Sequence, residues 1–186
     1  RLAIGEGARH VPLALRSHEI WREVEEQTGE HLFFNVGGLT LSHSGRSDAS
    51  KRHGNFLAQA VNAADRYGIA HEVLTPADVR KRYPQFRPDA DELGLFEPGA
   101  GYLLAEKCVT SNLTLAVRSG AETRLNTNVL GLEPASGGLH LNTDKGRLRA
   151  QKLVVSAGAW APSLLGEPFA SLLTPTRQLM HWIHID

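Results

Sequence analysis

The 186-residue sequence carries 20 basic and 20 acidic side chains and is formally neutral at pH 7. This balance argues against nucleic acid or an acidic membrane surface as a partner, and the apolar runs are too short to cross a bilayer. The single cysteine, Cys108, excludes an intramolecular disulfide and fits a reducing compartment. We therefore expect a soluble globular protein whose default location is the cytoplasm.

Helices and short strands alternate through the first half of the chain. Apolar spacing predicts a helix over 12–28, which Gly29 would end in a left-handed conformation. The segment 31–42 is rich in β-forming residues and carries a glycine pair, which is typical of two strand pieces or one bulged strand. A second helix is predicted over 56–67, and a strand over 69–74.

The same alternation continues toward the middle of the chain. Thr75 predicts the start of a short helix, because it is a capping residue followed by a proline and an aspartate, and this helix should stop before Pro84. Two short strands are predicted within 92–108, and another helix over 109–119.

The last third of the sequence predicts β structure. The segments 121–133 and 138–150 are typical of short strands joined by turns. Residues 152–155, "KLVV", are apolar on both faces and predict an interior strand of a covered sheet, and 174–186 is again β-like. The whole pattern predicts an α/β fold, with α+β mixing.

Residues 156–160, "SAGAW", are the strongest candidate site. Small residues at the carboxyl end of a buried strand let a ligand approach the backbone closely. The alternative is that Gly158 only lets the chain turn into the helix expected near 162–165, and physical reasoning leaves the two interpretations open. Trp160 taken alone is more typical of a core residue.

Other patterns predict structure rather than chemistry. Gly5 and Gly7 lack the third glycine of a dinucleotide fingerprint, so we interpret their segment as a loop. His181 and His184 would face opposite sides of a strand, so no metal site is predicted. Cys108 is expected to be a small buried hydrophobe. The first predicted helix should place three glutamates on or beside its wet face: Glu23, Glu25 and Glu26.

Three separated stretches, "RLAIGEGARHVPLALRSHEIWREVE", "GLFEPGAGYLLAEKCV" and "KLVVSAGAWAPSLL", closely resemble the monomeric sarcosine oxidase and N-methyltryptophan oxidase family of FAD-dependent amine oxidases. The resemblance runs in order along nearly the whole chain. It implies part of a Rossmann-like FAD-binding domain, formed by 1–30 and 105–167. It also implies part of a mixed-sheet substrate domain, formed by 31–104 and 168–186.

The resemblance also implies roles for individual residues. Ala157, Gly158 and Trp160 would lie beside the FAD, and the backbone of Val129 would meet the edge of the adenine. Arg1 aligns with the arginine that binds the substrate carboxylate in the family, a role that suits a guanidinium fork. No metal is implied.

The implied reaction moves a hydride from the carbon next to a secondary amine to the flavin, after which the imine hydrolyses and oxygen is reduced to peroxide. A small amino acid and oxygen are thus the implied partners. Two alternatives remain open: a related oxidase or dehydrogenase of glycine or D-amino acids, and a non-catalytic remnant. The family's G-x-G-x-x-G unit and its covalent-flavin cysteine are not found in these 186 residues, so we expect the isolated segment to be inactive and to bind FAD weakly or not at all.

Overall fold

The computed structural model describes residues 1–3, 7–43, 56–177, 179, 181 and 183. Contacts divide the chain into two compact units, Arg1–Glu122 and Thr123–Asp186. Among the described residues, none of the helices combines the length and the apolar character that crossing a membrane requires.

The described residues of the first unit form four α-helices, and local signals explain where these begin and end. α1 has a proline in its first turn, and Gly29 ends it with φ 74° while donating its N–H to the Glu25 carbonyl at 2.8 Å. The Thr75 hydroxyl and the Asp78 carboxylate form a reciprocal capping box at the start of α3. The helices are α1 (Val11–Thr28), α2 (Phe56–Tyr67), α3 (Pro76–Arg82) and α4 (Ala105–Arg118).

Two small antiparallel sheets accompany these helices. The pair β1 (Phe33–Phe34) and β5 (Tyr102–Leu103) forms one of them. The other is three-stranded, in the order β2-β4-β3, and consists of β2 (Gly38–His43), β3 (Glu72–Leu74) and β4 (Glu92–Glu97). The strands and helices predicted for this part of the sequence are confirmed, with two differences in their bounds: α4 begins four residues earlier than the predicted 109, and β3 begins three residues later than the predicted 69.

Two buried apolar clusters form the core of the first unit. The larger lies around α2 and includes Ala3, Val11 and Leu95. The smaller joins α1 to α4 through Val24, Leu32 and Cys108. Cys108 is therefore a buried apolar residue, as predicted, and burial raises the pKa of its thiol.

The second unit is a three-stranded antiparallel meander followed by short helices. β6 (Val129–Ala135), β7 (Gly138–Thr143) and β8 (Gly146–Ala150) pair in sequence order. A 3₁₀ turn (Gly158–Trp160) then leads into α5 (Ala161–Leu165), and α6 (Phe169–Leu172) follows. The turn-linked strands are confirmed from Val129 onward, whereas 121–128 form no strand, and the helix near 162–165 is confirmed.

The prediction of an interior strand at 152–155 is wrong. These residues pair with no strand among the described residues, and the Val154 side chain is 87% exposed. A strand exists only where its backbone N–H and C=O groups meet a neighbour, and apolar composition alone cannot supply one. Residues 174–177 likewise form no strand. The rest of the predicted β segment falls largely outside the described residues, as do His184 and Gly5.

Glu25 is also placed differently from the prediction of a wet helix face. Its side chain is 13% exposed, and Oε1 accepts the backbone N–H groups of Leu32 at 2.7 Å and Phe33 at 2.8 Å. Arg22 donates to Oε2 at 2.9 Å, and His31 Nδ1 lies 3.2 Å from Oε1. The helix thereby holds the start of β1 through a carboxylate.

The Glu25→Gln substitution is expected to destabilise the protein by about 1–2 kcal/mol at pH 7. Burial by itself raises the pKa of the Glu25 carboxyl. The N–H groups of Phe33 and Leu32, together with Arg22, lower this pKa by more than burial raises it, so the pKa lies below its ordinary value of 4.5. The stabilisation is therefore complete above about pH 4.5 and is lost as the pH falls through the lowered folded value.

Denaturant unfolding at pH 7 and pH 3 measures this effect, with Glu26→Gln as the control because Glu26 is the exposed neighbour on the same helix. We expect Glu25→Gln to be less stable than the control at pH 7 and the difference to shrink at pH 3. Equal stability of the two variants at pH 7 would contradict the assignment.

Candidate functional site

Arg1 lies at the rim of two adjoining cavities in the first unit. One has a volume of about 220 Å³ and the other about 210 Å³, and both are lined by Arg1 and Gly101. The Arg1 side chain is exposed, with its guanidinium carbon 5.2 Å from the centre of the Phe56 ring. The arginine singled out from the sequence is thus beside a space that a small ligand can enter.

The two cavities differ in character. The first is bordered by β2 and β4 of the three-stranded sheet and contains the carboxylate of Glu97. Besides Arg1 and Gly101, its lining residues are Ala3, Gly38, Leu39, Thr40, Leu95, Glu97 and Ala100. The second lies against α1 and the β1–β5 pair and is largely apolar; its further lining residues are Ala14, Ser17, His18, Trp21, Phe33, Tyr102 and Leu103.

His18 contributes a polar group to the second cavity without adding a permanent charge. Its ring packs edge-on against Phe33 with the centroids 4.8 Å apart. Burial lowers the pKa of His18 from its ordinary value of 6.5, so the imidazole is mainly neutral at pH 7. Arg1 is therefore the permanent cation lining this cavity.

A tight turn between β4 and β5 contributes Gly101 to the lining of both cavities. The Asn35 side-chain amide donates to the carbonyls of Pro98 at 2.8 Å and Ala100 at 2.7 Å. At Gly101 the backbone passes so close to Phe34 that an added Cβ would lie 1.9 Å from the Phe34 carbonyl oxygen. Only glycine fits this position.

Sequence reasoning missed Glu97. Its carboxylate is 4% exposed and accepts the backbone N–H groups of Leu2 at 2.6 Å and Ala3 at 2.9 Å. A signal was present, because Leu93, Leu95 and Glu97 share one face of β4 at the strand period of two, which places a glutamate in the inward phase. Asn35 was also missed, although asparagine before a glycine pair is a common turn residue.

The remaining predicted site residues lie in the second unit, and three of them share one turn. The Trp160 N–H donates to the Ala157 carbonyl at 3.0 Å, and Gly158 between them has φ 52°. This left-handed conformation supports the turn interpretation of Gly158, and it leaves the ligand interpretation open. Trp160 is 75% exposed, so its interpretation as a core residue is wrong.

Val129 is the first residue of β6 and stands opposite Thr143. The register shifts between Val129 and Gly131, which marks a β-bulge, and the Val129 side chain is 41% exposed. α5 packs against β6, so the turn and this strand belong to one small assembly.

The segment around Gly158 fits the approach of a flat aromatic group. A Cβ at Gly158 would meet nothing within 4 Å, and an open cavity of about 280 Å³ is bordered by this turn and by 173–176. Small side chains, open space and an exposed indole are the properties that a ring system needs in order to lie against backbone. The residues present are therefore compatible with the predicted flavin.

Comparison with known proteins matches the chain to a family. The family described as FAD dependent oxidoreductase (DAO) matches residues 2–183. Monomeric sarcosine oxidase from Streptomyces avermitilis is 36% identical over 180 residues, which are 95% of this chain and 44% of the relative. N-methyl-L-tryptophan oxidase from Yersinia pestis is 31% identical over 186 residues, covering 100% of this chain and 47% of the relative.

The fold is also shared with a solved structure. The open form of NikD, an unusual amino acid oxidase essential for nikkomycin biosynthesis, superposes with a TM-score of 0.69 at 24% identity, covering 83% of this chain and 38% of that one. The chain thus spans less than half the length of the curated relatives and of the solved structure to which it is similar.

Proposed function

This chain belongs to the DAO family of FAD dependent oxidoreductases, and on that basis we propose that the protein containing it oxidises an N-methylated amino acid with FAD as cofactor and oxygen as electron acceptor. The observation that carries the proposal is the 36% identity to monomeric sarcosine oxidase over 95% of the chain. A cation beside a cavity of amino-acid size, at the position that the resemblance predicts, supports it.

Arg1 binds the substrate carboxylate in this proposal. A guanidinium presents paired N–H donors that match both oxygens of a carboxylate, so it fixes the orientation of the amino acid as well as its position. Apolar neighbours in the second cavity, among them Trp21 and Phe33, would displace water from one side of the bound amino acid and so strengthen the charge interaction. The substrate amine is then held at a defined distance from the bound carboxylate, which is the contribution that a binding residue makes to rate.

The second unit supplies part of the cofactor site in this proposal. The small residues Ala157 and Gly158 would let the flavin ring system approach the backbone, with Trp160 beside it, and the backbone of Val129 would meet the adenine edge. The flavin, when bound, supplies the hydride-accepting and oxygen-reducing chemistry. The FAD-binding part comprises 1–30 and 105–167, and the substrate side comprises 31–104 and 168–186. The single cysteine supports a cytoplasmic location.

Oxygen uptake by the intact protein tests this function. The substrates compared are sarcosine, N-methyl-L-tryptophan, glycine, D-alanine and a carboxylate-free N-methylated amine. We expect uptake and peroxide formation with at least one N-methyl amino acid, at a higher kcat/KM than with the unmethylated amino acids or the amine.

The alternatives give different results in the same experiment. Preference for glycine or D-alanine would contradict the N-methyl assignment. Reduction of a dye without oxygen uptake would replace the oxidase by a dehydrogenase. No turnover with any substrate, despite bound FAD, would favour a non-catalytic protein.

A further inference from the structure

Glu97 is the one charged side chain that is buried among the residues that the structure describes. It stands at the end of β4, opposite Gly38 of β2, and lines the same cavity as Arg1. A buried carboxylate costs several kcal/mol unless strong donors compensate it. Its partners therefore indicate why a glutamate occupies this position.

Those partners are backbone groups of the segment that carries Arg1. The N–H groups of Leu2 and Ala3 point to different oxygens of the Glu97 carboxylate, at 2.6 Å from Oε1 and 2.9 Å from Oε2. Two consecutive backbone donors on one carboxylate fix the direction of the chain as well as its distance. Because Arg1 immediately precedes Leu2, the direction of the backbone at Arg1 is set by the same two hydrogen bonds.

Packing on the other side of the segment supports the same placement. Ala3 is 2% exposed and belongs to the larger core cluster together with Val11 and Leu95. The side chain of Ala3 therefore packs into the apolar core, while its backbone N–H donates to the Glu97 carboxylate. Arg1 lies two residues before this anchored alanine, at the rim of the cavities.

We propose that Glu97 is a positioning residue for Arg1: by binding the backbone of Leu2 and Ala3, it aims the guanidinium at the substrate carboxylate. The inference rests on the proposed function for the identity of the ligand. Glu97 does not itself contact substrate. Each of its two carboxylate oxygens accepts one of the two backbone N–H groups.

Glu97→Gln in the intact FAD-loaded protein tests the inference. The glutamine side chain has nearly the same shape, but its NH₂ group faces one of the two N–H donors, so one anchor is lost. We expect KM for an N-methyl amino acid to rise about tenfold with kcat changed less than about twofold. A carboxylate-free N-methylated amine should show no such rise. Glu72→Gln removes an exposed carboxylate from neighbouring β3 and serves as the control.

Two further measurements, on a double variant and on acetate binding, separate positioning from a general structural role. Arg1→Gln combined with Glu97→Gln should bind the carboxylate no more weakly than Arg1→Gln alone, because Glu97 acts through Arg1. If the glutamine variant does not fold, Glu97→Asp, which keeps the charge but is one methylene shorter, takes its place. Acetate binding, measured by calorimetry, should weaken about tenfold in the Glu97 variant and stay unchanged in the Glu72 variant.

Equal effects on the carboxylated and carboxylate-free substrates, additive effects of the two substitutions, or unchanged acetate affinity would overturn the inference. The acetate measurement needs no turnover. It therefore separates this inference from the proposed function, which fails on its own if the unaltered protein oxidises no N-methyl amino acid.

Discussion

The substitution Arg1→Gln is expected to lower kcat/KM for an N-methyl amino acid by about 100-fold. The guanidinium stands at the rim of two cavities, and a glutamine there can neither neutralise a carboxylate nor present the paired donors. Arg1→Lys keeps the charge but loses the planar fork, so we expect about a tenfold loss. Steady-state oxygen uptake by the intact protein measures both.

A matched arginine and a second substrate make this prediction specific. Arg16 is exposed on α1 and pairs with Glu19 and Glu23, so Arg16→Gln removes the same group away from the cavities and should leave kcat/KM within about twofold. The loss at Arg1 should also largely disappear for a carboxylate-free N-methylated amine. A large loss with both substrates would indicate that Arg1 is structural rather than a carboxylate ligand.

Alanine at Gly101 is expected to destabilise the first unit by about 3 kcal/mol, which is roughly a 10 °C lower melting temperature. The added methyl would lie 1.9 Å from the Phe34 carbonyl oxygen, which is a backbone atom of β1, and Gly101 directly precedes β5, the strand that pairs with β1. A flexible side chain could move aside, but here the strands themselves would have to separate. That separation would also disturb the lining of both cavities that Arg1 borders.

Gly99→Ala is the control for this substitution, two residues earlier in the same turn. An added Cβ at Gly99 meets nothing within 4 Å, and its φ lies outside the left-handed region, so the change should be within about 0.5 kcal/mol. Thermal unfolding of both variants under identical conditions compares them. Equal melting temperatures would show that the close approach of Gly101 to Phe34 is not a real constraint on the fold.

In the 152–160 segment, the strand predicted from composition is wrong, whereas the turn at Gly158 is present. The run "KLVV" has the composition of an interior strand, yet it is unpaired and Val154 is 87% exposed. Composition reports what a segment can bury, whereas strand formation needs a neighbour that donates and accepts hydrogen bonds. The turn that follows is present, as one of the two interpretations left open for Gly158 expected, because Gly158 and the nearby proline act within a few residues of themselves.

Several features of this protein were determined by the sequence alone. The helices over 11–28 and 56–67 follow from apolar periodicity and from glycines that end them, and the family follows from three stretches in the right order. Such signals lie within one segment, so they can be interpreted without knowing what the segment packs against.

Only the tertiary structure decided where the charged and aromatic side chains lie. Glu97 meets the backbone of Leu2 across 95 residues of sequence, Glu25 turns inward to hold β1, and Trp160 stands exposed. None of these placements follows from a propensity, because each depends on the partner that another part of the chain brings, or fails to bring, to the same place. The surroundings of Arg1 are the clearest case. The sequence was enough to select Arg1 as a candidate. The contact of Glu97 with the backbone that follows Arg1, and the two cavities that Arg1 lines, form only once distant strands have paired.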